Sequence, residues 1–195
     1  LLKYGASAEK KTASGYSALI AASEQGNMIM VALLLKHGAK TETKNRKGQD
    51  AFMIAVQSGF EDVLSMLIGY GANANTSDKD GYTALMTAIK NDHIHIMRML
   101  LMAGADVNVV SSNGDTALML AAEKKDAVYI KELIARKADV NIKDETGSTA
   151  LHIAASSASY ETLKSIIGNN VDINSVDKDG WTALMMAAFE GHSKR

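Results

Sequence analysis

Between residues 84 and 104 the apolar positions fall on helical spacing twice in succession. Leu85 and Ala88 lie three apart, and then Ile96, Met97, Leu100 and Leu101 follow the i, i+1, i+4, i+5 order of a buried stripe. Asn91-Asp92 interrupts the apolar pattern with a polar corner. The spacing therefore predicts a short helix from Ala84 to about Asn91 and a second from about Ile94 to Met102. Ahead of them Asp78-Lys79-Asp80-Gly81 is turn chemistry, with acidic side chains that accept local backbone bonds and a glycine able to take a positive φ. Thr83 is placed to cap the first helix. Gly104 ends the second as a left-handed C-terminal cap, and Ala105-Asp106-Val107-Asn108 leads to the next turn.

The same arrangement recurs along the whole chain. Gly-x-[Ser/Thr/Asp]-Ala-[Leu/Phe] begins at Gly15, Gly48, Gly81, Gly114, Gly147 and Gly180, a spacing of 33 residues each time with no insertion. "DKDGYTALMTA" from Asp78 to Ala88 returns almost unchanged as "DKDGWTALMMA" from Asp177 to Ala187. Self-similarity at this period marks a solenoid, in which one helix pair cannot bury both its faces and uses its neighbours as the rest of its core. A surface that must match itself 33 residues later constrains the same positions in every copy. The expected organisation is one array over 1–195: a partial unit at 1–10, units at 11–43, 44–76, 77–109, 110–142 and 143–175, and a partial unit at 176–195. Both ends fall inside a unit without a polar capping repeat, so a piece of a longer array is expected.

Composition narrows the class. The 21 Lys and Arg against 22 Asp and Glu leave no global field to attract nucleic acid or an anionic membrane. No apolar stretch approaches the roughly 18 residues that span a bilayer, so no membrane insertion is expected. Cysteine is absent, which excludes disulfides and Cys-based zinc or thiol chemistry and is compatible with a reducing, intracellular location. Proline is absent too, so no turn or helix start is fixed by a ring. Abundant Ala, Leu and Met with 5% aromatics favours helices packed through small side chains.

The order turn-Gly-x-Thr-x-Leu-x-x-Ala-Ala, then Gly-His or similar, then Leu-Leu-x-x-Gly-Ala and Asp-Val-Asn, resembles the ankyrin repeat over essentially the whole chain. The resemblance implies an all-α solenoid of helix-turn-helix units with protruding tips. One departure is uniform: where the family usually has Thr-Pro-Leu-His, Ala18, Ala51, Ala84, Ala117, Ala150 and Ala183 fill the proline position, and only His152 keeps the histidine. Alanine is a good helix former, so the fold should be kept with some pre-organisation lost.

A reactive cluster is not legible. His152 stands at the family's own histidine position, where the resemblance implies a structural hydrogen-bonding role; His93 and His192 stand at the corner position, and His37 and His95 are expected to be exposed. His93 and His95 are two apart on a helix and diverge, so they do not clamp a metal as an i, i+4 pair would. Gly69-Tyr70-Gly71 closes a helix, whereas a phosphate loop opens one. Met86, Met119 and Met185 share one stripe position, as core packing would require. No catalytic residue, metal ligand or cofactor is expected.

In the family the turn tips and first helices line a concave face that generally binds proteins, and positions not fixed by packing are available for recognition. Just after the turn glycine stand Tyr16, Gln49, Tyr82, Asp115, Ser148 and Trp181; the end of the first helix contributes Glu24, Gln57, Lys90, Glu123, Ser156 and Phe189. Trp181 and the two tyrosines are residue types that dominate hot spots, and Phe189 joins Trp181 on one unit. Arg46 and Lys47 make a basic spot suited to an acidic partner segment. The candidate partner-binding residues are thus Tyr16, Arg46, Lys47, Gln49, Tyr82, Lys90, Asp115, Trp181 and Phe189. The leading expectation is a monomeric, non-catalytic, intracellular and cytoplasmic protein-interaction module; the alternative is a tether or regulatory arm of an attached catalytic or channel domain. The resemblance also admits modification of Asn75, Asn108, Asn141 and Asn174. Units four and five are the weakest copies, because the C-cap glycine becomes Lys137 and then Asn170 and the fifth corner is Ser156-Ser157-Ala158-Ser159. This stretch is expected to open most easily among the internal repeats.

Overall fold

The structure, a computed structural model, describes residues 1–157 and 159–191. Ala158 in the fifth corner and His192 in the sixth lie outside the described residues. Among those described are eleven α-helices and no β-strand, with isolated bridges at Lys11–Ser17, Ser77–Thr83 and Val176–Thr182. The chain divides into two compact units, Leu1–Ala105 and Asp106–Arg195.

The first unit holds α1 (Ala18–Glu24), α2 (Met28–Lys36), α3 (Ala51–Ser58), α4 (Glu61–Gly69), α5 (Ala84–Lys90) and α6 (Ile94–Met102). The first helices pack in series as α1, α3 and α5, the second helices as α2, α4 and α6, and each first helix lies on its own second helix. The second unit repeats this with α7 (Ala117–Glu123), α9 (Ala150–Ser156) and α11 (Ala183–Phe189) in one row and α8 (Ala127–Ala135) and α10 (Tyr160–Ile167) in the other. The residues chosen by periodicity form the core. Leu85, Ala88, Ile96, Met97, Leu100 and Leu101 are all at most 3% exposed, and each large side chain so buried contributes about 1.5–3 kcal/mol.

Local chemistry sets the helix starts. Thr83 Oγ1 accepts the Met86 N–H at 3.2 Å, and Ser17, Thr116 and Thr182 cap α1, α7 and α11 in the same way. In the second repeat the cap is Asp50, whose carboxylate accepts from Met53 N–H at 2.9 Å and from the Thr76 hydroxyl at 2.5 Å. Asp50 is 4% exposed. Burial pushes its pKa up from the ordinary aspartate value, and the Thr76 and Met53 bonds only partly offset this.

The turn tips lock to one another through backbone. Lys79 N–H donates to Lys47 C=O at 3.1 Å and Arg46 N–H to Ser14 C=O at 3.1 Å; in the second unit Glu145 N–H donates to Asn113 C=O and Lys178 N–H to Thr146 C=O. This close approach requires glycine for a reason beyond its φ of 79° at Gly48. A Cβ added there would stand 2.7 Å from Lys79 N. Asparagines staple the loops behind the tips: Asn141 Nδ2 donates to Asn170 C=O at 3.1 Å while its Oδ1 accepts from Asp172 N–H at 2.9 Å, and Asn108 bonds Lys137 C=O and Asp139 N–H alike.

The weak copies have a visible cause. Lys137 and Asn170 take φ of 64° and 56°, the left-handed conformation held by glycine in the earlier repeats. The apolar burial of α10 is confined to Ile166, and Thr162 fills the place where α4, α6 and α8 bury Val63, Ile96 and Tyr129. One expectation is corrected. Met86 and Met119 are core residues at 1% exposure, but Met185 at the same register position is 52% exposed and Leu184 78%. In the second unit α9 packs on α7, the helix that carries Met119, whereas no described helix follows α11, which carries Met185.

Candidate functional site

The two sets of variable positions that the sequence offers separately are brought together by the fold. In four repeats the residue after the turn glycine reaches back over the end of its own first helix, eight positions later. Tyr16 donates its hydroxyl to Glu24 Oε1 at 3.3 Å, and Gln49 Nε2 donates to Gln57 Oε1 at 3.1 Å. Lys90 Nζ stands 5.0 Å from the centre of the Tyr82 ring. Trp181 and Phe189 meet edge to face, with ring centres 5.4 Å apart and planes at 80°. One backbone geometry thus presents a hydrogen bond to an acid, an amide pair, a cation–π contact and an aromatic pair. Contacts of the last two kinds contribute roughly 0.5–1.5 kcal/mol each at exposed sites.

The tip aspartate aims these side chains. Asp78 Oδ1 accepts the N–H groups of both Asp80 and Tyr82 at 3.0 Å, and Asp177 Oδ1 accepts those of Asp179 and Trp181 at 3.0 and 2.8 Å. Asn45 does the same for Lys47 and Gln49. Partial burial and the Glu24 carboxylate beside it push the Tyr16 hydroxyl pKa up. Tyr16, Gln49, Tyr82 and Asp115 are half-buried, whereas Arg46, Lys47, Lys90, Trp181 and Phe189 are exposed. Arg46 and Lys47 are used by the framework through their backbone, and their side chains stand at the surface of the second tip.

At the sixth repeat the aromatic pair borders a concavity of about 280 Å³. Trp181, Phe189 and Met186 supply its apolar wall, and Asp177, Asp179 and Glu190 bring carboxylates to the rim. Trp181 is held from behind. His152 Nδ1 accepts the Thr149 N–H at 3.2 Å, which leaves the proton on Nε2, and Nε2 donates to the Trp181 carbonyl at 3.1 Å. His152 is wholly buried, so its role is to tie the fifth first helix to the sixth tip. His93 is structural as well, with Nδ1 2.9 Å from Val56 C=O, and His37 and His95 are exposed.

No group of three or more His, Asp or Glu with metal-binding geometry occurs among the described residues, and no described helix is long and apolar enough to cross a membrane. Sequence reasoning did not find the eight-residue pairing, although both partners were legible as variable positions. It also missed Ser23, wholly buried with its Oγ lacking a hydrogen-bond partner among the described residues. The signal was present: the same position in later repeats holds Val56, Ile89, Ala122 and Ala155.

A family model described as ankyrin repeats (3 copies) matches the chain at residues 1–78, 39–111, 64–144, 85–177 and 118–194. A search of the curated proteins finds no match.

Proposed function

The chain belongs to the ankyrin repeat family, whose members are generally protein-interaction modules, and from that premise we propose that it is a non-catalytic module binding a partner protein through its turn tips and first helices, the side the family presents as its concave face. The observation that carries this reading is the series of tip-to-helix pairs. Each occupies positions that core packing leaves free, and each presents different chemistry from the same backbone. Tyr16, Gln49, Tyr82, Lys90, Trp181 and Phe189 are its pair members, with Arg46, Lys47 and Asp115 as flanking tip contacts. The 33-residue count runs unbroken through residues 105 and 106, and the two compact units are read as parts of one array.

Affinity capture from native cell extract tests the proposal, comparing the wild type with a Trp181→Ala, Phe189→Ala, Tyr82→Ala variant of matched stability. Aromatic anchors contribute about 2 kcal/mol each where they are hot spots, and 2 kcal/mol is roughly a 30-fold loss of affinity. A partner held by the wild type and lost by the variant is expected. Equal capture by both would place recognition on another surface.

A further inference from the structure

We propose that the concavity at Trp181 and Phe189 receives a cationic side chain, a lysine or arginine of the partner segment. This rests on the reading above, since it names the ligand class of one part of that surface.

The third repeat supplies the template. Its tip, Asp78-Lys79-Asp80-Gly81, is identical to Asp177-Lys178-Asp179-Gly180, and each is followed by an aromatic residue aimed by the first aspartate of the tip. In the third repeat the chain provides the cation for that aromatic itself, because Lys90 reaches over the Tyr82 ring. In the sixth repeat the homologous position is Phe189, and among the described residues no cation lies over Trp181. Phe189 instead meets Trp181 edge to face and forms one wall of an open recess.

The chemistry of the recess fits a cation and disfavours an anion. Aromatic faces carry negative quadrupole density that attracts ammonium and guanidinium groups. Asp179 and Glu190 add full negative charge at the rim, and the Asp177 carboxylate, engaged through Oδ1 by two backbone N–H groups, adds a third. The Met186 side chain offers an apolar surface for the methylene stem of a lysine or arginine, which buries its stem while keeping the charge at a polar rim. A recess of about 280 Å³ admits one such side chain and is small for a folded element. Trp181 is 36% and Phe189 76% exposed, so both rings are reachable from solvent.

Trp181 is the sole tryptophan of the chain, so its fluorescence reports this site directly. The probe is a hexalysine peptide, with hexa(acetyl-lysine) as the neutral control and hexaglutamate as the anionic one. The expected result is a saturable change in Trp181 emission with hexalysine alone, weakened several-fold by 0.3 M salt and at least fivefold by Asp179→Asn with Glu190→Gln. These two substitutions lie at exposed positions, and thermal melts and far-UV circular dichroism superimposable on the wild type exclude unfolding. Phe189→Leu should weaken the response comparably. An equal response to the neutral peptide, insensitivity to Asp179→Asn with Glu190→Gln, or no response to any probe would overturn the proposal. The outcome separates from that of the capture experiment. Partner capture lost with Trp181→Ala while hexalysine leaves the emission unchanged would sink the cationic ligand and spare the recognition surface.

Discussion

Gly38, after the second helix of the first repeat, and Gly48, at the tip of the second, separate conformational strain from steric exclusion within one background. Gly38 has φ 80° and Gly48 φ 79°, so alanine at either pays the same left-handed penalty of roughly 1 kcal/mol. Their surroundings differ. A Cβ on Gly38 meets nothing within 4 Å, whereas on Gly48 it would stand 2.7 Å from Lys79 N and 3.0 Å from the carbonyl carbon of Asp78. Those are backbone atoms and cannot swing away as a side chain would. To admit the methyl group the third tip must retreat, stretching the 3.1 Å bond from Lys79 N–H to Lys47 C=O. A lost hydrogen bond adds about 1 kcal/mol and an overpacked contact about 1–3 kcal/mol. Gly38→Ala is therefore expected to destabilise by roughly 1 kcal/mol and Gly48→Ala by about 3 kcal/mol or more. Lys137→Gly is the reverse experiment, expected to stabilise by about 1 kcal/mol because Lys137 already holds φ 64°. Urea unfolding followed by far-UV circular dichroism measures the ordering, with amide exchange at 79 and 80 reporting the tip bond itself. Equal losses at Gly38 and Gly48 would refute the tip-locking account of the glycine at position 48.

Ser23→Ala is expected to raise stability by about 1 kcal/mol in the same urea assay, because it removes a buried hydroxyl that has no hydrogen-bond partner among the described residues; a loss would show that Ser23 is satisfied. Asp50 has a pKa raised by burial, so its contribution is fully present in acid and falls as pH rises through its folded-state pKa. Asp50→Asn keeps the cap and the Thr76 contact without the charge. Its stability advantage over wild type should grow from acid to neutral pH, and a pH-independent difference would contradict the burial argument. Hydrogen exchange should find residues 130–170 less protected than 60–100, since α10 buries Ile166 as its one core aliphatic; equal protection would sink that expectation.

The helices were legible to within a residue. The pattern gave Ala84 to about Asn91 and Ile94 to Met102, and the structure has Ala84–Lys90 and Ile94–Met102. Capping chemistry at Thr83 and the stripe through Leu101 are local facts, and six registered copies reinforce them. Where each residue would be covered was less legible. Periodicity assigns Met185 a register position but says nothing of which helix lies against it, so a core assignment that held for Met86 and Met119 failed there. The pairing of Tyr16 with Glu24 and of Trp181 with Phe189 was hidden for another reason. Eight residues that include a turn and two turns of helix have no fixed side-chain relation until the tip is bent over the helix. That bend is set by the Asp177-type carboxylate and by backbone bonds between tips, the latter a tertiary feature.

On the proposed reading, the pairs would let one fold vary what it recognises at little cost to itself. A change at the tip or at the helix end touches no core position, so a substitution there should cost the scaffold no more than the pair contact itself, roughly 0.5–1.5 kcal/mol. Binding can change while the scaffold holds. The sixth pair departs from the others in a way that packing does not explain. At the helix-end position the other repeats carry Glu24, Gln57, Lys90, Glu123 and Ser156, all polar, as an exposed site at a helix end favours. Phe189 alone is apolar, and at 76% exposure its contact with Trp181 covers little of it. An exposed aromatic beside an exposed tryptophan and three carboxylates gains little for the fold as it stands. It gains considerably once a ligand covers both rings, which is why the sixth tip, rather than the better-packed third, is the place to look for an anchor.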